Sequence, residues 1–182
     1  MRPPANLILI GLRGSGKSTV GRQVAARLAR PFVDLDDVTP GLLGASGVRE
    51  AWERFGEGAF RRAEADAAAR VLDAGGRVVA LGGGTPTAPG VADLLLRERR
   101  DGRAVVVYLR ASAETLRRRL EAADHTDRPS LTGAGVTQEV AAVLAARDAP
   151  YRRLADHVVE CDTLTVEQTT DAVLRSCGAA RG

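Results

Sequence analysis

An apolar run at residues 6–10 leads straight into Gly11-Leu12-Arg13-Gly14-Ser15-Gly16-Lys17-Ser18, and Val20, Val24 and Leu28 then recur at helical spacing. The pattern G-x-x-x-x-G-K-[ST], placed after a strand and before a helix, leaves the chain little freedom. Its glycines let the backbone curl until successive N–H groups point inward around an anion. The helix that follows adds its own N-terminal N–H groups and partial positive charge. Lys17 is the single lysine among 26 basic residues. A chain that uses arginine everywhere else keeps lysine where a compact ammonium is needed and a planar guanidinium does not serve. An incidental lysine in a glycine-rich turn fits these facts poorly. Gly14, Ser15, Gly16, Lys17, Ser18 and Thr19 are therefore expected to bind a nucleoside triphosphate. Lys17 reaches the β- and γ-phosphates, and Ser18 offers its hydroxyl to Mg²⁺.

The rest of the chain repeats that strand–helix unit. Residues 6–11, 32–36, 77–84, 104–110 and 157–161 read as short strands, apolar on both faces as buried parallel strands are. Helical patterns cover 58–74, 90–100, 112–122, 137–154 and 165–176. The alternation predicts a three-layer α/β fold with about five parallel strands, and 182 residues suit one domain. With 45% hydrophobic and 27% charged residues, the composition is that of an ordinary globular protein. A net charge of +3 with only 3% aromatic residues does not suit a nucleic-acid partner. No apolar run approaches the roughly 20 residues of a membrane span, and the first residues do not read as a signal peptide. Cys161 and Cys177 read as reduced thiols of a cytoplasmic protein, and a monomer is expected.

Two stretches interrupt the rhythm, 37–57 and the polar 122–136; long segments over the carboxyl edge of a sheet are usually binding insertions or lids. Absences narrow the class. The only lysine and the only asparagine, Asn6, leave no N-K-x-D guanine reader, which removes switch GTPases. The third strand ends in a glycine run and not in Asp-Glu, which removes transporter ATPases and motors. A small-molecule kinase remains. In "FVDLDD", strand alternation puts Asp34 and Asp36 on one face at the carboxyl end of the second strand. Two carboxylates there can serve Mg²⁺ and an acceptor hydroxyl; a second reading has Asp36 or Asp37 capping the next helix. In "GEGAFRRAE", Arg61 and Glu64 share a helix face, for which a solvated ion pair is the ordinary explanation. Gly82, Gly83 and Gly84, after an apolar strand, allow backbone N–H groups to approach a ligand closely.

Taken together, the glycine loop, D-x-D, G-E-x-x-F-R-x-x-E, the triple glycine, an Arg-Pro at 128–129 and a late Tyr-Arg resemble the shikimate kinases over about residues 7–175. The resemblance implies a P-loop kinase fold with a helical substrate-binding insertion at about 37–64 and a lid at about 122–136. It implies transfer of the ATP γ-phosphoryl group to the 3-hydroxyl of shikimate. By the family's motifs, Ser18 and Asp34 serve Mg²⁺. Asp36, Arg61 and Arg152 with Gly82–Gly84 hold shikimate, and Glu64 holds Arg61 or touches the ligand. Arg128 swings from the lid onto the phosphates, and Arg119 lies against adenine. Lys17, Asp36 and Arg128 are the catalytic group. The chain departs from the pattern at Thr39-Pro40, at Ser130 and at Arg147-Asp148-Ala149-Pro150-Tyr151, where the proline is displaced by one. A kinase for gluconate or another polyol acid, and a silent nucleotide-binding homologue, are the alternatives.

Overall fold

A computed structural model describes residues 4–122 and 139–179. Five strands, β1 (Asn6–Ile10), β2 (Phe32–Asp34), β3 (Val78–Ala80), β4 (Ala104–Arg110) and β5 (His157–Glu160), form one sheet in the order β2-β3-β1-β4-β5. All four pairings are parallel, with Leu9 opposite Ala80 on one side and Val107 on the other. Every residue of β1 is buried, as a central strand covered on both faces requires.

The helices are α1 (Lys17–Leu28), α2 (Leu35–Leu42), α3 (Val48–Asp73), α4 (Val91–Arg100), α5 (Ala113–Glu121), α6 (Val140–Leu154) and α7 (Val166–Ala179). From β1 the chain passes β3 to reach β2; from β3 it passes β1 to reach β4. The two exits part between β1 and β3, which opens a crevice at the carboxyl ends of those strands. With right-handed crossovers, α1 and α4 fall on opposite faces. Accordingly α1 packs with α7, whereas α4 packs with α3 and α6. The expected three-layer fold is the one observed. No described helix is long and apolar enough to cross a membrane.

Two differences from the sequence reading have local causes. Strand β2 stops at Asp34, because the Asp34 carboxylate accepts the Asp36 amide at 3.1 Å and caps α2. Asp36 therefore lies in a helical first turn and not on a strand, and neither Asp36 nor Asp37 is the cap. Helix α3 begins ten residues before the expected 58 and bends at Gly56 (φ 73°, ψ 169°). Ala45, Ala51 from the first limb and Phe60 from the second form a small core separate from the one under the sheet. The insertion thus has its own apolar anchor.

The Gly56 conformation is open essentially to glycine alone, and a Cβ there would meet nothing within 4 Å. Gly56→Ala should therefore cost about 1–3 kcal/mol through backbone strain, seen as a drop of several degrees in Tm. An unchanged Tm would show that the bend tolerates a side chain.

Candidate active site

The loop after β1 has the backbone its glycines were expected to provide. Gly11, Gly14 and Gly16 adopt φ of 153°, 82° and 95°. A Cβ at Gly11 would lie 2.6 Å from the Leu109 carbonyl oxygen, so the closed turn excludes any larger residue. Lys17 bends back over the loop: Nζ donates to the carbonyls of Gly11 (2.9 Å) and Leu12 (3.0 Å). Its ammonium is thereby held on the loop's carbonyls, beside a cavity of about 380 Å³. At the rim, Ser18 Oγ donates to Asp34 Oδ2 at 2.5 Å. One hydroxyl and one carboxylate fit Mg²⁺, which usually takes one or two protein oxygens and completes its shell with phosphates and water. Arg119 enters the same cavity from α5, its guanidinium donating to the Cys161 carbonyl at 2.8 Å. Leu164 and Val166 supply an apolar wall that the sequence motifs did not reveal. Burial pushes the Cys161 thiol up to about 11, so it is protonated and unreactive at neutral pH.

A second cavity, of about 110 Å³, adjoins the first, and Asp36 and Arg13 line both. Arg61 reaches it from the second limb of α3, with its guanidinium 5.2 Å from the Trp52 ring centre. It donates to Glu64 Oε2 at 2.6 Å, and Glu64 Oε1 accepts from Thr85 Oγ1 at 2.6 Å. With side-chain exposures of 15% and 3%, the Arg61–Glu64 pair is no solvated surface bridge. Burial raises the Glu64 pKa, and the Arg61 charge opposes that rise without cancelling it.

The turn Gly82–Gly84 runs between these groups. A Cβ on Gly82 would meet Asp36 Oδ1 at 2.7 Å, Thr85 Oγ1 at 2.7 Å and Glu64 Oε1 at 2.9 Å. One on Gly83 would meet the Arg13 amide nitrogen at 3.1 Å, and one on Gly84 would collide with the Arg61 guanidinium. Gly82 is thus closely hemmed in, Gly83 is tight against the phosphate-loop backbone, and a side chain at Gly84 would displace the Arg61 guanidinium, which a plain tight turn would not explain. The Gly83 carbonyl accepts from Arg147 (2.9 Å) and from the Tyr151 hydroxyl (2.7 Å).

Arg152 does not lie where the sequence reading places it. It is 42% exposed and turned to Asp148 (3.0 Å) and Glu160 (3.4 Å), outside the second cavity. Arg147 lines that cavity in its place. The cause is helical phase: Val140, Val143, Arg147, Tyr151 and Leu154 follow i, i+3, i+7, i+11 and i+14 along one inward face, and Tyr151 is fully buried there. Arg152, one residue on, is rotated about 100° away. Asp148 anchors the helix to β4 by accepting from Arg110 (2.7 Å) and Tyr108 (3.0 Å). Burial works against its charge, but hydrogen bonds from Arg152, Arg110 and Tyr108 outweigh it and lower its pKa. The fully buried Tyr151 phenol is pushed up to about 12 by the same desolvation, so it stays a donor. Arg128 and, beyond Ala122, the expected lid lie outside the described residues.

A phosphate loop with its lysine and an adjoining cationic pocket, on a parallel sheet of this order, define a P-loop small-molecule kinase. The sequence profile of the family described as shikimate kinase matches residues 13–177. A shikimate kinase of Stenotrophomonas maltophilia is 39% identical over 170 residues, 93% of this chain and 90% of that protein. The structure of a shikimate kinase from Acinetobacter baumannii in complex with shikimate superposes with a TM-score of 0.85 at 28% identity, covering 97% of this chain and 94% of that one. A gluconokinase from Sinorhizobium meliloti shares the fold with a TM-score of 0.54 at 18% identity. The chain belongs to the shikimate kinase family.

The raised Glu64 pKa has a sign that can be measured. Because the folded state holds that proton more tightly than the unfolded chain, Glu64 costs stability as pH rises through the window above its ordinary value of 4.5. Relative to wild type, Glu64→Gln should gain stability between pH 4 and pH 7 in urea unfolding; a constant difference would mean that the Arg61 charge fully offsets burial.

Proposed function

We propose that this protein transfers the γ-phosphoryl group of ATP to the 3-hydroxyl of shikimate. The observation that carries the reading is the pair of adjoining cavities, one built around Lys17 and one around Arg61 and Arg147, with Asp36 lining both. A carboxylated, hydroxylated ring asks for guanidinium groups at one end and a hydrogen-bond acceptor at the other. Arg61 and Arg147 receive the carboxylate. Asp36 accepts the hydrogen bond of the reacting hydroxyl and turns its oxygen toward the nucleotide cavity. Phosphoryl transfer passes through a loose transition state, so alignment and charge neutralisation dominate the rate. Lys17 and the amides of residues 14–19 hold the β- and γ-phosphates, and Arg119 flanks the adenine. Ser18 and Asp34 would hold Mg²⁺, which would supply positive charge to neutralise the phosphates. Arg128 retains the phosphate-facing role that the resemblance gives it.

A coupled assay of ADP release with ATP, Mg²⁺ and shikimate tests the reading, with gluconate run alongside. Turnover of gluconate alone would reject it. Lys17→Ala should reduce kcat by at least about 10²-fold. Arg147→Ala should raise KM for shikimate by about 10–10³-fold, the cost of removing a charged partner of 1.5–4 kcal/mol. Arg152→Ala, by contrast, should leave KM within about threefold, as expected for an exposed ion pair. A larger effect at Arg152 than at Arg147 would restore the assignment that the helix phase removes.

A further inference from the structure

Thr85 takes no part in the reaction proposed above, yet it ends a chain of buried polar contacts that leads to Arg61. It is fully buried, at 0% exposure, in a single 3₁₀ turn at Thr85–Thr87 immediately after the triple glycine. Its hydroxyl donates to one oxygen of Glu64 at 2.6 Å, and the other oxygen accepts from the Arg61 guanidinium at 2.6 Å. Glu64 is itself 2% exposed. We infer that Thr85 is a positioning residue: by holding Glu64 it fixes the Arg61 guanidinium in the orientation that lines the acceptor cavity. The inference rests on the proposed function, in which Arg61 receives the substrate carboxylate.

The surroundings leave Glu64 few alternatives. Asp36 lies across Gly82, where a Cβ would meet Asp36 Oδ1 and Thr85 Oγ1 at 2.7 Å each and Glu64 Oε1 at 2.9 Å. Turning Glu64 that way brings two carboxylates together, and the Asp36 charge already adds to the burial that disfavours ionised Glu64. Without the Thr85 hydroxyl, one oxygen of a buried carboxylate loses its donor, and burial without a partner is what such a group tolerates least. Glu64 then escapes by rotating or by taking up a proton, and either response loosens Arg61. The remaining holds on Arg61 are weaker. Glu57, 61% exposed, lies 3.4 Å from its Nε, and the Trp52 ring bears on the guanidinium through a cation–π contact.

Thr85→Val removes the hydroxyl and keeps the shape; Thr85→Ser keeps the hydroxyl. In full-length protein, Thr85→Val should raise KM for shikimate by about 5–30-fold, equivalent to about 1–2 kcal/mol at 1.36 kcal/mol per decade. kcat should stay within about twofold, KM for ATP should not move, and Thr85→Ser should return KM to within about twofold of wild type. Trp52, the single tryptophan, lies against Arg61, so its fluorescence titrated with shikimate alone should show the same loss of affinity. If Thr85→Val does not fold, Thr85→Ala is read by the same criteria. Unchanged KM in the folded variant, loss confined to kcat, or failure of serine to restore affinity would each overturn the inference. Wild-type turnover of shikimate separates such a result from failure of the proposed function itself.

Discussion

Three consecutive residues without side chains, Gly82–Gly84, are the constraint on which the site depends. They follow β3 at the crevice between β1 and β3, and each faces a different part of the machinery. Gly82 admits Asp36, Thr85 and Glu64; Gly83 admits the backbone of the phosphate loop; Gly84 admits the Arg61 guanidinium. The Gly83 carbonyl then draws in Arg147 and Tyr151 from α6. Contacts from α2, α3, α6 and the loop after β1 thus meet at one turn. A side chain at any of the three would press on one of these groups, so the turn governs how closely they meet.

Charge is organised around the same turn. Ionised groups are rarely buried without partners, since desolvation outweighs what a loose contact returns. Here Glu64 has a guanidinium and a hydroxyl, and Lys17 has two carbonyls. Such partners keep the charges oriented before any substrate arrives. Preorganisation of that kind is what phosphoryl transfer requires, because little covalent chemistry is left for the protein to perform. The Asp148 network with Arg110 and Tyr108 acts one step back, holding α6 so that Arg147 faces inward.

Much of this was legible in the chain. A phosphate loop has a fixed length and context, and the lone lysine singled itself out. Parallel strands buried on both faces leave an apolar signature that periodicity detects, and β4 was delimited at 104–110 as observed. What escaped was governed by neighbours that sequence spacing does not show. Alternation carries β2 two residues past Asp34, because a cap that ends a strand looks the same as another strand residue until its hydrogen bond is seen. The late Tyr-Arg motif points to Arg152, whereas the inward stripe from Val140 to Tyr151 selects Arg147. Thr85 carried no signal at all, since its partner Glu64 is 21 residues away. The early start of α3 was hidden by Gly56, which reads as a helix breaker and acts as a hinge between two limbs.

If bare backbone at this turn sets the position of Arg61, Gly84→Ala displaces that guanidinium. Gly84 has φ −110° and ψ −10°, a negative-φ conformation that imposes no left-handed strain on alanine. The atoms nearest the added methyl all belong to the guanidinium end of Arg61, a flexible group that can move aside. The variant should fold with Tm nearly unchanged and KM for shikimate raised by at least about tenfold, one decade being about 1.4 kcal/mol. Wild-type KM in that variant would contradict that role for the turn.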